Sequence, residues 1–446
     1  MGWKGKKVLI LGLGQYPKGS GISAALFLAR QGAVLRVTDQ KSADDLGANV
    51  TRLKRFKGIQ FILGRHRVED IRWADVILRN PRVRPSSREM ILASKLGKRI
   101  ESDITLFLAE CPSAVIGVTG TRGKSTTSAL VAEMLKRSGK RVWLGGNILV
   151  SPLTFLSKVR PTDVVVLELS SWQLETTGAR GRSPRYALIT NLMRDHLNTY
   201  EGMEEYAEAK AQIFRHQRPN DVVVLNADDA YGRRWAKEAP GQVILFSKKS
   251  KFPVPKKLSK LMGHHNEMNI IAASRIACAA GATQNGIRSA IKNFKGLPDR
   301  LETVAVKRGI RFINDTTATT PDATMAAILA QEAGSKKQEA RRIHLLFGGA
   351  DKKLEFDDVA NLLKRKKVCS SVFEGTARKK IERAFKKARY AWTVVKSMTE
   401  AVQFHREHAK KGEIILLSPG CASFGMFANE FDRGQQFRKI VRLLPD

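Results

Sequence analysis

Residues 114–127 read Ala-Val-Ile-Gly-Val-Thr-Gly-Thr-Arg-Gly-Lys-Ser-Thr-Thr, and the pattern changes twice along this stretch. A short apolar run with β-branched residues breaks into the turn Gly-Thr-Arg-Gly-Lys-Ser at 120–125. Apolar residues at helical spacing follow from Ala129 to Leu135. Strand, glycine turn and helix in this order are typical of a phosphate-binding loop.

The turn offers two kinds of contact to a chain of phosphates. Backbone N–H groups of a glycine-rich turn close around phosphate oxygens, and the helix N-terminus adds a partial positive charge. Lys124 would neutralise the β- and γ-phosphates, and the Ser125 hydroxyl would reach Mg²⁺. The full motif has its first glycine at position 118, where this chain has valine, so an ordinary βα turn is the alternative. We favour binding of a nucleoside triphosphate, because strand, turn and helix agree.

Length and charge limit the classes of protein to consider. The chain has 446 residues, too many for one core, so about two to four domains are expected. With 78 Lys and Arg against 42 Asp and Glu, the formal net charge is +36. Nucleic acid, a membrane surface or anionic substrates could explain this excess. The basic residues are dispersed rather than gathered in one arm, so we expect no nucleic-acid partner.

Four cysteines stand far apart in the sequence, with no C-x-x-C and no close Cys/His pairing. This spacing predicts a protein of a reducing compartment that has neither a disulfide framework nor a zinc site. The basic N-terminus precedes a continuous apolar run of residues 8–11 alone, which predicts a strand rather than a secretory signal. No run approaches the length of a membrane span. We therefore expect a cytoplasmic protein.

A βαβ pattern opens the chain. A buried strand at 8–11, a glycine-rich turn, a helix at 22–30 and a strand at 34–38 predict a Rossmann-type unit. The G-x-G-x-x-G fingerprint fails at its third glycine, where Pro17 stands. Asp39 nevertheless occupies the position of a dinucleotide-binding acid, so a nicotinamide dehydrogenase is the rival interpretation. Further strands at 60–63, 74–78 and 99–100 predict a first domain of residues 1–110.

Two side chains beyond the phosphate loop are candidates for its chemistry. Glu168 stands near the C-terminal end of an apolar strand at 163–169, the end that faces the ligand crevice in a parallel sheet. Its carboxylate is well placed to hold Mg²⁺, and a helix cap or surface acid is the alternative. Lys210 shares the apolar stripe of a helix with Tyr206. It either points inward at an anion, is chemically modified, or snorkels to solvent.

The remaining elements complete the domain plan. Asn266 and Asn269 share one face near the start of a long helix, where they could cap it or bind a ligand. These elements predict a central domain of residues 111–297 with a mostly parallel sheet. A third domain of residues 298–446 restarts the α/β alternation, with strands at 311–315, 343–347, 371–373 and 414–418. The turns that follow, at 315–319, 348–352 and 418–423, would line one crevice.

Taken together, these motifs resemble the Mur ligase family of ATP-dependent amide-bond ligases over essentially the whole chain. The stretches that carry the resemblance are 120–126, 145–148, 168–175, 191–196, 206–210, 265–269, 297–302, 314–319, 348–352 and 417–423. Each motif is modest by itself, but the ordered set is highly specific.

The resemblance implies an α/β enzyme of three domains. These would be a Rossmann-like N-terminal domain for a UDP-sugar, a central P-loop ATPase domain, and a Rossmann-like C-terminal domain for the amino acid. The implied reaction is ATP-dependent addition of D-glutamate to UDP-N-acetylmuramoyl-L-alanine through an acyl phosphate, in peptidoglycan precursor synthesis. The resembling enzymes imply a monomer with two Mg²⁺ ions. A ligase that uses L-glutamate or another acceptor, of poly-γ-glutamate type, stays open, and a nucleic-acid-binding ATPase is a more distant alternative.

The resemblance also implies roles for individual residues. The catalytic set would be Lys124, Glu168, His196 and Lys210. The ATP-binding set would be Gly120, Thr121, Arg122, Gly123, Lys124, Ser125, Thr126, Asn266, Asn269, Arg300 and Asp315. Ser125 and Glu168 would hold one Mg²⁺, and His196 with Lys210, the latter as its carbamate, would hold the second. Asn147 would contact the UDP-sugar, and Thr319, Lys352, Ser423 and Phe427 would cradle glutamate.

The chain departs from the family pattern in three places. Thr317 stands where many D-glutamate-adding members have a lysine, and Asn80-Pro-Arg82 replaces their Ser-Pro-Gly. An insertion at 15–18 displaces the glycines of the first turn. These departures bear on the configuration of glutamate and on the UDP contacts, not on the ATP chemistry.

Overall fold

The computed structural model describes residues 2–148, 150–194, 200–261, 263–333, 342–352, 354–423 and 425–446. The chain divides into two compact units, one of residues 1–259 with 268–294 and one of residues 260–267 with 295–446. The first unit contains two parallel sheets and the second contains one mixed sheet.

The first sheet is built by the N-terminal βα repeats. Its elements are β1 (Lys7–Leu11), α1 (Ser20–Arg30), β2 (Val34–Asp39), α2 (Gly47–Leu53), β3 (Gln60–Leu63), α3 (Val68–Trp73), β4 (Val76–Arg79), α4 (Arg88–Lys95), β5 (Arg99–Glu101) and α5 (Asp103–Glu110). The strand order is β3-β2-β1-β4-β5, and every pair is parallel. The order reverses between β1 and β4, which is where ligands of such sheets bind.

The second sheet surrounds the phosphate loop. Its elements are β6 (Ala114–Thr119), α6 (Lys124–Arg137), β7 (Val142–Gly146), β8 (Val164–Glu168), α7 (Ser171–Ala179), β9 (Tyr186–Ile189), α8 (Met203–Ala211), β10 (Val222–Asn226), α9 (Ala230–Glu238), β11 (Gln242–Phe246), α10 (His264–Ala279) and α11 (Gln284–Asn293). The order β11-β10-β9-β6-β8-β7 is parallel throughout. Because β6 lies between β9 and β8, the loops after these two strands flank the turn after β6.

The first two sheets share one hydrophobic core. A single cluster of buried apolar side chains joins Val8 and Ile10 of β1 to Val165 and Leu167 of β8. Polar contacts cross between the same regions. Ser151 Oγ donates to Asp103 Oδ2 at 2.7 Å, Arg180 Nε lies 3.2 Å from Glu101 Oε1, and Arg79 Nη2 lies 3.0 Å from Glu175 Oε2. The two sheets therefore pack as one body.

The third sheet follows in the C-terminal part of the chain. Its elements are β12 (Glu302–Lys307), β13 (Ile310–Asn314), α12 (Pro321–Ala333), β14 (Ile343–Phe347), α13 (Asp357–Arg365), β15 (Cys369–Phe373), α14 (Arg378–Lys387), β16 (Thr393–Val395), α15 (Met398–His408), β17 (Ile414–Leu417) and α16 (Glu430–Leu443). The order is β12-β13-β17-β14-β15-β16, and β12 is antiparallel to β13. Strands β13 to β17 pair in parallel.

The α/β class and the mostly parallel sheets that the sequence predicts are confirmed. Each strand that the sequence predicts is present, with its ends at or within two residues of the predicted ones. Three further strands, β7, β12 and β16, were not predicted. The domain boundaries at 110 and 297 remain predictions. None of the helices described is long and apolar enough to cross a membrane.

Candidate functional site

The turn between β6 and α6 requires its glycines. Gly120 has φ +144° and Gly123 has φ +81°, conformations that side chains other than glycine rarely adopt. A Cβ on Gly120 would lie 1.9 Å from Thr190 Oγ1, and one on Gly123 would lie 2.2 Å from Asn269 Oδ1. Both backbone conformation and close neighbours therefore exclude a side chain at these two positions. The contact with Gly123 also places the predicted ATP contact Asn269 against the loop.

Residues that follow β9 hold the turn in place. Thr190 Oγ1 donates to the Arg122 carbonyl at 2.6 Å, and the Arg122 N–H donates to Asn191 Oδ1 at 3.0 Å. The Thr121 N–H donates to the Asn191 carbonyl at 2.9 Å. These bonds fix the backbone of the turn from the side of β9, leaving its shape defined by the fold rather than by a ligand.

Two lysines meet at one carbonyl oxygen of the turn. Lys124 Nζ donates to the Gly120 and Thr121 carbonyls, both at 3.0 Å, and Lys210 Nζ donates to the Gly120 carbonyl at 3.0 Å. Lys210 is 2% exposed and lies 4.5 Å from the centre of the Tyr206 ring. Its burial excludes the snorkelling alternative. Two like charges at one oxygen repel each other, so an anion in the turn would stabilise both.

Glu168 lies beside the turn with one oxygen unsatisfied. The side chain is 2% exposed, and its Oε1 accepts a hydrogen bond from Asn147 Nδ2 at 2.9 Å. Oε2 is buried and has no hydrogen-bond partner among the described residues. Buried polar atoms are normally paired, and carboxylate oxygens are ligands of Mg²⁺. The open oxygen therefore fits a cation held next to the phosphate loop.

The remaining central residues are placed as follows. Ser125 and Thr126 are half-buried in the first turn of α6, directly after Lys124. Asn266 is buried one turn before Asn269 on α10. The predicted metal ligand His196 lies outside the described residues.

Asp39, the acid at the end of β2, accepts hydrogen bonds from the protein's own backbone. The Gly14 N–H donates to Asp39 Oδ2 and the Lys41 N–H donates to Asp39 Oδ1, both at 2.9 Å. Both oxygens of this carboxylate thus hold backbone turns. This engagement weakens the dehydrogenase interpretation, in which the acid binds the ribose of a dinucleotide.

The three strand-end turns of the third sheet lie together, as the sequence predicts. Ser418 Oγ donates to Asp315 Oδ2 at 3.0 Å, joining the turns after β17 and β13. The Gly348 N–H donates to the Pro419 carbonyl, and the Ala350 N–H to the Ala422 carbonyl, both at 2.8 Å. These bonds bring the turn after β14 against the turn after β17.

Predicted substrate residues converge on these turns. Lys352 Nζ donates to Thr319 Oγ1 at 3.1 Å, so the turns after β13 and β14 meet through this pair. Ser423 and Phe427 are buried, and the Phe427 N–H donates to the Ser423 carbonyl at 3.2 Å. The arrangement joins a cation and hydroxyl groups, which suits a small acidic substrate.

Asp315 and Arg300 stand at the start of this region. Burial raises the pKa of Asp315 to about 7, although hydrogen bonds from Ser418 and from the Leu301 N–H oppose the shift. Arg300 is exposed one residue before Leu301. A carboxyl group with a pKa near neutrality can either donate or accept a hydrogen bond at physiological pH.

Several side chains that shape the phosphate loop, or the strand-end turns of the third sheet, were not singled out from the sequence. Thr190 and Tyr206 contact the phosphate loop, and the fully buried Arg433 of α16 ties two turns of the third sheet together. Arg433 donates to Thr316 Oγ1 at 3.0 Å, to the Thr316 carbonyl at 2.8 Å and to the Cys421 carbonyl at 3.3 Å. Burial lowers the pKa of Arg433 to about 10. Tyr206 lies on the apolar stripe that the sequence shows, but no local motif marks Thr190 or Arg433, since their partners are distant in sequence.

Comparison with known proteins gives matches along nearly the whole chain. Residues 118–277 match the Mur ligase middle domain, and residues 299–421 match the Mur ligase, glutamate ligase domain. A UDP-N-acetylmuramoylalanine–D-glutamate ligase from Roseiflexus sp. (strain RS-1) is 40% identical, covering 98% of each chain. A protein of the same name from Borreliella afzelii (strain PKo) is 35% identical, covering 99% of this chain and 98% of its own length.

Solved structures share the fold. The UDP-N-acetylmuramate-alanine ligase MurC from Thermotoga maritima has a TM-score of 0.62 at 19% identity and covers 98% of this chain and 99% of its own. MurF from Acinetobacter baumannii has a TM-score of 0.61 at 17% identity, covering 98% of this chain and 93% of its own. At these identities the similarity extends to the architecture alone.

Proposed function

The chain belongs to the Mur ligase family, and on this premise we propose that it adds D-glutamate to UDP-N-acetylmuramoyl-L-alanine at the expense of ATP, in peptidoglycan precursor synthesis. The observation that carries the proposal is the phosphate loop with Lys124 and Lys210 at one carbonyl, beside the open oxygen of Glu168. The named relatives, matched over 98% or more of this chain, support the choice of substrates.

The proposed reaction has two steps. The carboxylate of UDP-N-acetylmuramoyl-L-alanine attacks the γ-phosphorus of ATP, ADP leaves, and an acyl phosphate forms. The amine of glutamate then attacks the acyl carbon, and the tetrahedral intermediate expels phosphate and releases a proton, leaving the amide. Positioning and neutralisation of charge supply most of the catalysis in such transfers.

The chain's own residues would serve the first step as follows. The Gly120–Gly123 backbone and Lys124 bind the phosphates, while Asn269 packs against the loop. Ser125 and Glu168 would hold one Mg²⁺, and Lys210 with His196 a second. Bound Mg²⁺ neutralises charge on the phosphate oxygens. Glu168 fits this role because its Oε2 is buried without a partner among the described residues.

We further propose that Lys210 works as its carbamate. An ammonium group that is 2% exposed is costly to bury, and addition of CO₂ to the amine, with loss of a proton, gives an anionic group with two oxygens. Those oxygens can bind a cation, which the ammonium cannot. With ¹³C-labelled CO₂, a carbamate ¹³C signal is expected in the protein and should vanish in Lys210→Ala. Lys237→Ala, an exposed lysine of α9, is the control. A signal that survives Lys210→Ala would place the modification elsewhere.

The other substrates would bind at strand ends. The loops after β1 and β4, at the point where the first sheet reverses its order, are proposed for the UDP-sugar, with Asn147 as a contact. Thr319, Lys352, Ser423 and Phe427 are proposed to cradle glutamate, with the Lys352 ammonium facing a carboxylate. The proposed domains are residues 1–110, 111–297 and 298–446, in a monomer that works in the cytoplasm.

The deciding experiment measures phosphate release from ATP with UDP-N-acetylmuramoyl-L-alanine and either D-glutamate, L-glutamate or no amino acid. Release stimulated by D-glutamate alone is expected, and it would show that Thr317 is a tolerated departure from the family pattern. Stimulation by L-glutamate would keep the ligase chemistry and reverse the stereochemistry. If neither amino acid stimulates release, the acceptor is wrong and the poly-γ-glutamate alternative takes its place.

A further inference from the structure

Two histidines and a cysteine meet on one face of the third sheet. His344 of β14 stands directly opposite Cys369 of β15 in the parallel register, so both side chains point to the same face. His405 of α15 packs on that face, and its ring centre lies 5.5 Å from that of His344. One ring nitrogen from each histidine and the Cys369 sulfur lie within 4.8 Å of one another.

The hydrogen bonds around the two rings leave one nitrogen of each available. His344 Nε2 lies 2.9 Å from Glu413 Oε2, an oxygen that also accepts the Lys410 N–H at 2.9 Å. A carboxylate accepts hydrogen bonds, so the His344 proton is held on Nε2 and the Nδ1 lone pair is bare. His405 Nε2 lies 2.9 Å from Ser371 Oγ.

The available nitrogens are buried. Both histidines are 0% exposed, and the Nδ1 atom of each has no hydrogen-bond partner among the described residues. Buried ring nitrogens without a partner are uncommon in folded proteins, and here one ring nitrogen of each histidine lies within 4.8 Å of the Cys369 sulfur.

We propose that His344, Cys369 and His405 bind Zn²⁺ or a divalent cation of similar softness. Two imidazole nitrogens and a thiolate are typical zinc ligands, and a water can complete the tetrahedron from the side of the half-buried Cys369. Glu413 would orient His344, in the way that carboxylates orient zinc-bound histidines. On binding, the Cys369 thiol loses its proton to solvent, and the thiolate offsets part of the metal's charge.

The position of the cluster indicates a structural role. His344 is the second residue of β14 and Cys369 the first of β15, whereas the turns proposed to hold glutamate follow the opposite ends of the strands. A metal here would link β14, β15 and α15. The ligands are separated by 25 and 36 residues in sequence, which is why the spacing of cysteines and histidines alone predicted no zinc site.

The test uses the full-length chain, stripped of metal and kept reduced with a phosphine. Titration with Co²⁺ in excess Mg²⁺ is expected to give a thiolate-to-cobalt charge-transfer band at one equivalent, and Zn²⁺ should displace it. Cys369→Ser should lose the band and bind Zn²⁺ at least about tenfold more weakly. Glu413→Gln should weaken binding by about 10- to 100-fold while keeping the band. Cys278→Ser, at an exposed free cysteine, should behave as the unchanged protein.

Three results would overturn the proposal. They are no band at all, a band that persists in Cys369→Ser, or a band that disappears in Cys278→Ser. Glu168→Gln separates this site from the ligase metals, because it removes a proposed Mg²⁺ ligand and should leave the band intact. Failure of ligase activity would therefore not affect the outcome.

Discussion

At the scale of single residues, the phosphate loop depends on the cation of Lys124. Its Nζ lies 3.0 Å from the Gly120 carbonyl, the oxygen that also accepts from Lys210. Removing a group that stabilises transition-state charge costs about 100- to 1,000-fold in rate. We expect Lys124→Ala to lower phosphate release by at least that factor. Lys136→Ala, on the exposed side of the same helix, should retain full activity, and unchanged turnover in Lys124→Ala would refute the assignment.

Asp315 should make stability depend on pH. Burial raises the pKa of Asp315 in the folded protein to about 7, whereas the pKa of an Asp in the unfolded chain is about 3.9. Between these values the folded state keeps a proton that the unfolded state has lost, so the free energy of unfolding falls as pH rises. Asp315→Asn has no titrating group at this position and should lose this dependence. In the unchanged protein the dependence amounts to about 1.4 kcal/mol of unfolding free energy for each unit by which the two pKa values differ.

Denaturant unfolding of the full-length chain at about pH 5 and about pH 7.5 tests this expectation. The difference in stability between the two pH values should be smaller in Asp315→Asn than in the unchanged protein. Asp322→Asn, at an exposed position of α12, should keep the original difference. An equal dependence in all three proteins would show that Asp315 is ionised throughout the range.

Residues of the site were predictable where one element carried the signal. The apolar stripe of α8 made Lys210 a candidate for an inward position, with snorkelling as the alternative, and the structure buries it. Thr190 and Asn191 could not be found in this way. They contact the phosphate loop because β9 pairs with β6, and strand order is set by tertiary packing rather than by local sequence.

At the scale of elements, the turn before α6 depends on close approach as well as on backbone conformation. Gly123 and Gly139, which flank α6, have nearly equal φ values of +81° and +82°. A Cβ on Gly123 would collide with Asn269, whereas one on Gly139 would meet nothing within 4 Å. We expect Gly139→Ala to cost about 1–2 kcal/mol in stability with activity kept.

Gly123→Ala should lose about as much stability as Gly139→Ala. It should also bind ATP more weakly, because the added Cβ forces the loop and Asn269 apart. Thermal unfolding and the KM for ATP, measured on both variants, separate the two effects. Equal KM values in the two variants would show that the close approach to Asn269 is not needed for nucleotide binding.

The strands missed from the sequence share a physical reason. β12 and β16 lie at the edges of the third sheet and β7 at the edge of the second, so they are only partly buried. In β12 the apolar residues are confined to the middle, between polar ends, and β7 and β16 carry only three and two apolar residues besides glycine or threonine, so none of them shows the long apolar run that marks β8. Central strands are therefore the more readable ones, whereas edge strands are read unevenly: β3 and β5 at the edges of the first sheet were predicted, and β7, β12 and β16 were not.

At the scale of the whole molecule, the first two sheets should unfold together. Their buried side chains form one cluster, and Asp103 with Ser151 adds a buried hydrogen bond between them. Native-state hydrogen exchange should therefore give the slowest amides of β1 and β8 the same opening free energy and the same denaturant dependence. Earlier release of β1 would instead show that the first sheet opens by itself.

The antiparallel strand β12 has a consequence for aggregation. It begins at Glu302, ends at Lys307, and its pairing with β13 shifts register between Thr303 and Ala305. At the opposite edge, β16 is three residues long. Charged, irregular or short edges are poor templates for the strands of another chain. The third sheet is therefore protected at both edges against pairing with the strands of another chain.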